Sequence, residues 1–316
     1  MMPQSRRSNG SSRFPNVALR LVVDARIAGP NRKAANLGNI ARAARYDLYL
    51  LADSDVRVDQ DCIASMVTPF EDRSVGAVAS IYKGWPTETA ASQFGALYLN
   101  DWFVPSVLVD VDLRGIDFIF GAMSAVRRES LEAIGGFEML AQCLAEDFLM
   151  GRLIARRGWR VALSPYACNT VVTDSGFGEM LRHEVHWQRL ERSCRPMDQF
   201  LSVVTWPLPL LLLLLVPHPS VIGLSIIGTH IALRVALHYF VRRSFQIPAP
   251  AQPWLVPVRE CVCFIAWADG LLGRNVTCGQ ETFSISAYRK LMARGTAPRA
   301  RIATLNTWSK AYDRGR

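Results

Sequence analysis

The sequence predicts an α/β domain followed by membrane helices. The N-terminal part alternates short apolar runs with segments of helical spacing, which is typical of a sheet with helices on its faces. Residues 201–233 then carry no Asp, Glu, Lys or Arg, and a bilayer core takes about 20 apolar residues per helix. With 50% hydrophobic and 20% charged residues, the chain is too apolar to be disordered.

The first region is a polar, basic leader, residues 1–15, which we expect to be disordered. The α/β domain, residues 16–198, follows. Its predicted elements are, in order, strand 18–25, helix 29–45, strand 46–56, helix 60–70, strand 75–82, a helical or mixed segment 94–112, a strand–turn–strand–helix segment 116–137, helix 145–158 and strand 159–163. This alternation favours a mainly parallel sheet, in which ligands bind at the carboxyl ends of the strands.

Two transmembrane helices are predicted within residues 199–243, and the alternative is an unusually apolar helix pair in the core of a soluble protein. A third apolar stretch, residues 254–273, contains charged residues that disfavour a lipid-facing span, so we interpret it as an interfacial helix. Four arginines precede the first span, which predicts a cytoplasmic α/β domain. Two spans would return the basic tail, residues 274–316, to the same side.

Charge and cysteine usage exclude several classes of protein. The formal net charge is +9, but the basic residues flank the predicted membrane segments and form no nucleic-acid-binding motif, so we expect no nucleic-acid partner. The seven cysteines include no C-x-x-C pair. A disulfide framework and a structural zinc site are therefore not indicated, and free thiols are expected.

Asp53-Ser54-Asp55 is the first candidate site, because two carboxylates follow a buried strand. Oxygen ligands at this spacing suit Mg²⁺ or Mn²⁺. Such an ion clamps a diphosphate and neutralises its charge as it leaves. A solvated turn or a helix N-cap is the structural alternative.

Glu146-Asp147 is the second candidate site, at the start of a predicted helix. The helix dipole stabilises carboxylates there, which explains the pair in purely structural terms. The functional alternative is a general base that takes the proton of an attacking acceptor hydroxyl.

His183, His186 and Trp187 lie on a basic helix just before the apolar run. Trp187 offers a flat wall for a sugar or a lipid, or alternatively an interfacial anchor. The two histidines have the spacing of metal ligands, but no third ligand lies nearby in the sequence.

Several cations are candidates for phosphate binding. Arg189, Arg192 and Arg195 are interpreted as ligands of lipid phosphates or of a leaving diphosphate, or as topology signals only. Lys33 follows a Gly-Pro turn and is a candidate for a nucleotide phosphate, with an ordinary surface lysine as the alternative.

Five blocks taken together resemble the family 2/21 glycosyltransferases, most of all the ceramide-glucosyltransferase-like enzymes that include the bacterial hopanoid-associated glycosyltransferase. The blocks are GPNRKAANL, YLLADSDV, FGAMSAVRRESLEAIGGF, AEDFLMGRLIARRGWRV and HEVHWQRLER. The resemblance implies a GT-A nucleotide-diphospho-sugar transferase sheet anchored by membrane helices. It implies inverting transfer of a sugar from a UDP-sugar to a lipid hydroxyl, in a multi-pass protein of a bacterial-type inner membrane with its catalytic domain facing the cytoplasm.

The resemblance also implies site residues. Asp53 and Asp55 match the D-x-D metal and donor site for Mg²⁺ or Mn²⁺, and Asp147 matches the catalytic base. Lys33 and Asn36 match the donor-side N-x-K-x-x-N-L block.

The (Q/R)-x-x-R-W motif of the family corresponds here to His183, His186 and Trp187. Histidine is shorter and only partly charged near pH 7, so a weaker grip on the diphosphate is expected, with Arg189 as a compensating cation.

The resemblance implies an incomplete N-terminus, because the family's first strand and first uridine-binding aspartate have no counterpart before residue 16. A truncated, non-catalytic relative is therefore one alternative hypothesis. A polysaccharide synthase-like family 2 enzyme is another, although it would need more spans to form a channel.

Overall fold

The computed structural model describes residues 20–215, 219–247, 250–278 and 281–285. The predicted leader, residues 1–15, and the tail after residue 285 lie outside this part. The described strands are β1 (Leu48–Ala52), β2 (Val56–Arg57), β3 (Val75–Pro86), β4 (Met123–Arg127), β5 (Arg160–Val172), β6 (Asn275–Cys278) and β7 (Glu281–Ser284). The described α-helices are α1 (Arg32–Ala41), α2 (Cys62–Val67), α3 (Ala90–Tyr98), α4 (Val104–Arg114), α5 (Arg128–Glu132), α6 (Gly136–Leu140), α7 (Glu146–Arg156), α8 (Phe177–Cys194), α9 (Pro196–Leu201), α10 (Pro207–Leu215), α11 (Val221–Ser244) and α12 (Val256–Leu272).

The central sheet has five strands in the order β1-β4-β3-β5-β2. Only β3 and β5 pair in parallel, and the other three pairs are antiparallel. The prediction of mainly parallel pairing is therefore wrong, because β4 inserts in the opposite direction between β1 and β3. Strands β1, β3 and β5 nevertheless run the same way, so their carboxyl ends meet at one edge of the sheet.

Helices cover both faces of this sheet, as the alternation predicts. Ala77 and Ala79 of β3 face a core that includes residues of α1, α6 and α7. Val78, between them, faces a second core with α2 and the 3₁₀ turn Thr68–Glu71. Successive strand side chains point to opposite faces, so a strand buried on both sides needs the continuous apolar run that β3 has.

Two predicted strands are absent from the described residues. The described part of strand 18–25 is an irregular segment whose apolar side chains are largely exposed. An apolar run becomes a strand only where a neighbour takes up its backbone N–H and C=O groups. The predicted first strand of segment 116–137 is irregular for a different reason, because it leads directly into the candidate site, where the Gly121 and Ala122 carbonyls accept hydrogen bonds from Lys33 and Asp53.

Within the described residues, α11 is the one helix that is long and apolar enough to cross a membrane. The first predicted span is instead a pair of short helical segments, Pro196–Thr205 and Pro207–Leu215, bent by 57° at Trp206. The pair counts as a second span only if the bent helices are taken together. Proline at the first position of α10 explains the break, since it has no N–H to continue the preceding helix.

Several charged side chains of the C-terminal helices are buried and pair with other parts of the protein. Arg259 of α12 pairs with Glu184 of α8. Helix α12 also packs against α11, so that α12 joins α8 and α11. Glu260 of α12 lies 2.8 Å from His230 of α11. The interfacial position of residues 254–273 stays a prediction, but the charges that motivated it face protein partners. The described start of the predicted basic tail forms the hairpin β6–β7.

Candidate active site

The D-x-D residues form the turn that follows β1, at the shared carboxyl edge of β1, β3 and β5. The Asp53 N–H donates to Ala122 O at 3.0 Å, and the Val171 N–H of β5 donates to Asp55 O at 2.9 Å. The turn is therefore held from both sides by backbone hydrogen bonds. The Asp53 side chain is partly exposed and Asp55 is exposed, so both carboxylates are accessible to a ligand.

Lys33 connects the D-x-D turn to α7. Its Nζ lies 2.7 Å from Asp53 Oδ1 and 3.6 Å from Glu146 Oε1, and it donates to Gly121 O at 3.0 Å. Burial lowers the pKa of Lys33, but the neighbouring charges of Glu146, Asp53 and Asp147 outweigh it, so the net pKa is raised. A permanently charged ammonium therefore lies at the sheet edge.

Asn31 and Glu146 position this lysine. Asn31 is the N-cap of α1, where its side chain accepts the Ala34 N–H. Its Nδ2 donates to Glu146 Oε2 at 2.7 Å and to Cys143 O at 2.8 Å. Glu146 is buried, and its two oxygens thus meet Asn31 and Lys33. Of the acidic pair, Glu146 has the structural role.

Asp147 is the chemically distinctive member of the pair. Burial, followed by the charge of Glu146, raises its pKa to about 7, although the Phe148 N–H and Lys33 act in the opposite direction. A Cβ at Gly121 would lie 2.5 Å from Asp147 Oδ2 and 3.5 Å from Lys33 Nζ. Gly121 therefore leaves just enough room for Asp147 beside Lys33. A carboxyl group with a pKa near 7 can take and return a proton at neutral pH.

A chain of aromatic side chains begins at Phe148, next to Asp147, and no periodic pattern in the sequence predicts it. Phe148 packs against Phe118 in a tilted arrangement with ring centroids 5.5 Å apart, and the Phe118 and Phe120 ring centroids are 5.3 Å apart. Phe120 in turn lies 6.3 Å from Tyr82. Burial and the charge of Asp147 raise the pKa of Tyr82. These rings form an apolar wall that begins at the residue after Asp147.

The α8 residues lie at the same sheet edge but form a separate group. His183 Nδ1 is 2.7 Å from Asp174 Oδ1, and Asp174 lies three residues past Val171, whose N–H binds Asp55 O. Among the described residues, Asp174, Glu179 and His183 are the one set of three side chains close enough to share a metal ion. The hydrogen-bond partner of His183 is therefore Asp174 rather than His186, with the Glu179 carboxylate nearby.

The remaining predicted residues point in different directions. Arg189 pairs with Asp269 of α12 at 2.5 Å, so its guanidinium is engaged away from the D-x-D turn. His186 is partly buried, and burial, followed by the charges of His183 and Arg189, lowers its pKa. Trp187 is exposed, and Asn36 is exposed one turn after Lys33 on α1. Donor binding by these four residues stays a prediction.

The D-x-D turn fits a hard divalent cation. Asp53 and Asp55 offer only oxygen ligands on an accessible turn whose backbone is already fixed, which suits Mg²⁺ or Mn²⁺. The Asp53 carboxylate already binds a cation, the Lys33 ammonium. An ion at this turn would share Asp53 with Lys33.

Comparison with known proteins identifies a family and two relatives. The model of glycosyl transferase family 21 matches residues 10–291. Ceramide glucosyltransferase 1 of Caenorhabditis elegans is 26% identical over 160 residues, which are 49% of this chain and 33% of the relative. Ceramide glucosyltransferase 3 of the same organism is 26% identical over 188 residues, or 58% of this chain and 40% of the relative.

The chain thus spans well under half the length of these two relatives. The family match, in contrast, extends over most of the chain and includes the D-x-D turn, Lys33, Asp147 and α8. The chain belongs to glycosyltransferase family 21 and is related to the ceramide glucosyltransferases.

Proposed function

We propose that the chain transfers a hexose from a UDP-sugar to the hydroxyl group of a membrane lipid, with inversion at the anomeric carbon. One observation carries the proposal. Asp147, whose pKa is about 7, lies beside Gly121 and Lys33, and Lys33 binds the D-x-D carboxylate Asp53. A proton acceptor and a phosphate-binding edge are the two parts that glycosyl transfer from a nucleotide sugar requires.

In the proposed reaction, the oxygen of the acceptor hydroxyl attacks the anomeric carbon. Asp147 takes the proton of that hydroxyl as the attack proceeds. The bond from that carbon to the diphosphate oxygen breaks on the opposite face, so configuration inverts. Lys33 offers positive charge to the departing diphosphate. Asp53 and Asp55 would hold a divalent cation, which when bound would further neutralise that charge.

A lipid acceptor is supported by the surroundings of the site. The aromatic wall of Phe118, Phe120 and Phe148 is suited to an apolar group beside the reacting hydroxyl. The apolar helix α11 packs on the catalytic domain, since His238 pairs with Asp101 at 2.7 Å. The site is thereby tied to the helix most suited to a bilayer, and we propose that the domain faces the cytoplasm of a bacterial-type inner membrane.

Product analysis tests the proposal. Membranes that contain the chain are supplied with labelled UDP-glucose or UDP-N-acetylglucosamine, with ceramide and hopanoid acceptors, and with Mg²⁺, Mn²⁺ or a chelator. We expect one labelled glycolipid whose formation needs the metal and whose anomeric configuration is opposite to that of the donor. Retained configuration would contradict the role of Asp147. A polymeric product would favour a polysaccharide synthase, and no product with any donor would favour a non-catalytic relative.

A further inference from the structure

Helix α9 and the turn after it expose a continuous apolar face. Met197, Phe200, Leu201 and Val204 are 64%, 53%, 54% and 74% exposed. Their spacing of three, four and seven residues puts them on one side of a helix. Gln199, on the opposite side, is fully buried. Large apolar side chains grouped in this way indicate a surface that is covered in use.

Helix α4 exposes a second group of apolar side chains, although it belongs to the catalytic domain. Leu108, Val109 and Leu113 are 41%, 58% and 75% exposed. Asp112 is exposed among them, so this face is amphipathic rather than wholly apolar. An amphipathic face of this kind suits the boundary between headgroups and acyl chains.

Ion pairs hold these two helices side by side. Arg195, just before α9, lies 2.8 Å from Asp110 of α4, and Arg114 of α4 lies 3.1 Å from Asp198 of α9. The two arginines and two aspartates balance in charge. The charges of these two ion pairs therefore cancel one another along the seam between the helices. We call the exposed side chains of α4 and α9 on either side of this seam the α4–α9 surface.

The α4–α9 surface continues directly into the apolar helix α10. Leu213 and Leu214 of α10 are largely exposed, and the axis of Pro196–Thr205 is inclined by 57° to that of α10. Helix α10 has nine residues, or about 14 Å at 1.5 Å per residue, which is half of the roughly 30 Å hydrocarbon core. At a bilayer surface, one helix is expected to enter the hydrocarbon core while its neighbour lies closer to the membrane plane. The angle between α10 and Pro196–Thr205 fits this arrangement.

The surface also borders the candidate active site. The Arg195 guanidinium lies 5.2 Å from the ring centroid of Phe118, and Phe118 packs against Phe148, the residue after Asp147. We propose that the α4–α9 surface rests on the bilayer, so that a lipid acceptor reaches Asp147 along the Phe118 side without leaving the membrane boundary. This inference rests on the membrane-lipid part of the proposed function.

A fluorescence experiment tests the surface without needing turnover. The full chain carrying Met197→Cys or Leu113→Cys is labelled with an environment-sensitive dye and reconstituted in liposomes with or without a spin-labelled lipid. The matched control is Ile63→Cys, which places the label on α2 at a site that is 66% exposed. Labelled wild-type protein gives the background from the native cysteines.

We expect a blue shift and loss of most fluorescence with spin-labelled lipid at positions 197 and 113, and neither change at position 63. Equal access of aqueous iodide to all three labels would overturn the proposal. So would protection at 197 and 113 that depends on protein concentration instead of the spin-labelled lipid, because a second copy of the chain would then cover the surface.

A second variant connects the surface to the acceptor. Phe200→Glu should lower transfer to a long-chain acceptor in liposomes several-fold, while transfer to a short-chain, water-soluble acceptor in detergent stays at the wild-type rate. Ile63→Glu should change neither. Equal loss with both acceptors would overturn the proposal, whereas no transfer by the wild-type chain would count against the proposed function alone.

Discussion

The sheet edge and the helix layer of α8, α11 and α12 both contain acid–base pairs, in opposite surroundings. At the sheet edge, the Lys33 and Asp53 side chains are 40% and 38% exposed. In the helix layer, Arg259 and Glu184 are 0% and 5% exposed. An accessible pair can exchange its partner for a ligand, whereas a fully buried pair keeps its partner because either charge alone is strongly disfavoured.

The same comparison separates Asp147 from the buried acids of the helix layer. Glu184 and Glu260 each face a cationic side chain, Arg259 and Arg234 respectively. Asp147 instead lies beside a second carboxylate, Glu146, which helps to raise its pKa. A carboxyl group whose pKa lies near 7, and which has no cationic side chain of its own as a partner, is suited to proton transfer at neutral pH. The comparison therefore favours the sheet edge as the place of the proposed reaction and the helix layer as a structural part of the protein.

The largest expected effect comes from Asp53→Asn at the sheet edge. This change removes the charge that binds Lys33 and a metal ligand, so we expect transfer to fall by about 10³-fold, the scale of losing a well-placed charged group in a site. Asp47→Asn is the matched control, because Asp47 precedes the same strand at its other end and is 90% exposed. Transfer assays at saturating Mn²⁺ measure both variants, and a wild-type rate for Asp53→Asn would break the assignment.

The next effect is on stability in the helix layer. Glu184→Gln leaves the buried Arg259 without its charge partner, so we expect the free energy of unfolding to fall by about 3–5 kcal/mol. The double variant Glu184→Leu with Arg259→Met should recover most of that loss, since it removes both charges. Thermal unfolding in detergent measures these differences.

The exposed Asp47–Arg128 pair is the control for the buried one, and Asp47→Asn should change the free energy of unfolding by less than about 1 kcal/mol. One result would contradict this distinction between the sheet edge and the helix layer. If Glu184→Gln abolished transfer while the unfolding temperature stayed unchanged, the helix layer would take part in chemistry.

Local signals in the sequence predicted a large part of the site. The D-x-D turn, Lys33 and Asp147 each have a recognisable neighbour, namely a buried strand, a Gly-Pro turn and a helix start. Their meeting depends on contacts between distant segments, such as Lys33 with Gly121 and Asn31 with Glu146. No local pattern records those contacts.

The partners of the charged side chains in the helix layer could also not be predicted from the sequence. Arg234, His238 and Arg259 interrupt apolar runs, and an interfacial position is the simplest interpretation of such interruptions. In the structure their partners come from other helices or from the catalytic domain, as Asp101 does for His238. The antiparallel pairing of β4 with β1 and β3 was missed for the same reason, because the whole sheet decides how its strands pair.

A smaller effect is expected from Gly121→Ala, which tests the spacing at the sheet edge. The new methyl group would meet Asp147 Oδ2 at 2.5 Å, so the carboxyl group must move. A displacement of about 1 Å at a reacting group lowers rates by about 10²-fold. Transfer should therefore fall while the unfolding temperature changes little, because the displaced atom is the end of a side chain. Unchanged transfer would show that the position of Asp147 is not critical.

The smallest effect is a dependence on pH. If Asp147 is the base, kcat/KM should rise by about tenfold per pH unit and level off near its pKa of about 7. The free energy of unfolding should decrease, not increase, as the pH rises. Between about pH 4 and pH 7 the folded state keeps a proton that the unfolded state releases, so the free energy of unfolding contributed by Asp147 falls as pH rises through that window.

Asp147→Asn removes this contribution to stability. The variant should unfold at a higher temperature than the wild type at pH 8 and at a similar temperature at pH 4. Identical unfolding temperatures of variant and wild type at both pH values would mean that the carboxyl group has an ordinary pKa.

The most direct test of the sheet edge as the catalytic site measures donor binding and transfer in the same preparation of Asp147→Asn. Equilibrium dialysis with labelled UDP-sugar and Mn²⁺ gives the donor affinity, and glycolipid formation gives the rate. We predict a donor affinity within about twofold of wild type and a rate about 10³-fold lower, since a general base contributes about 10²–10⁴-fold to the rate and none of the donor affinity. Wild-type glycolipid formation by Asp147→Asn would contradict the account.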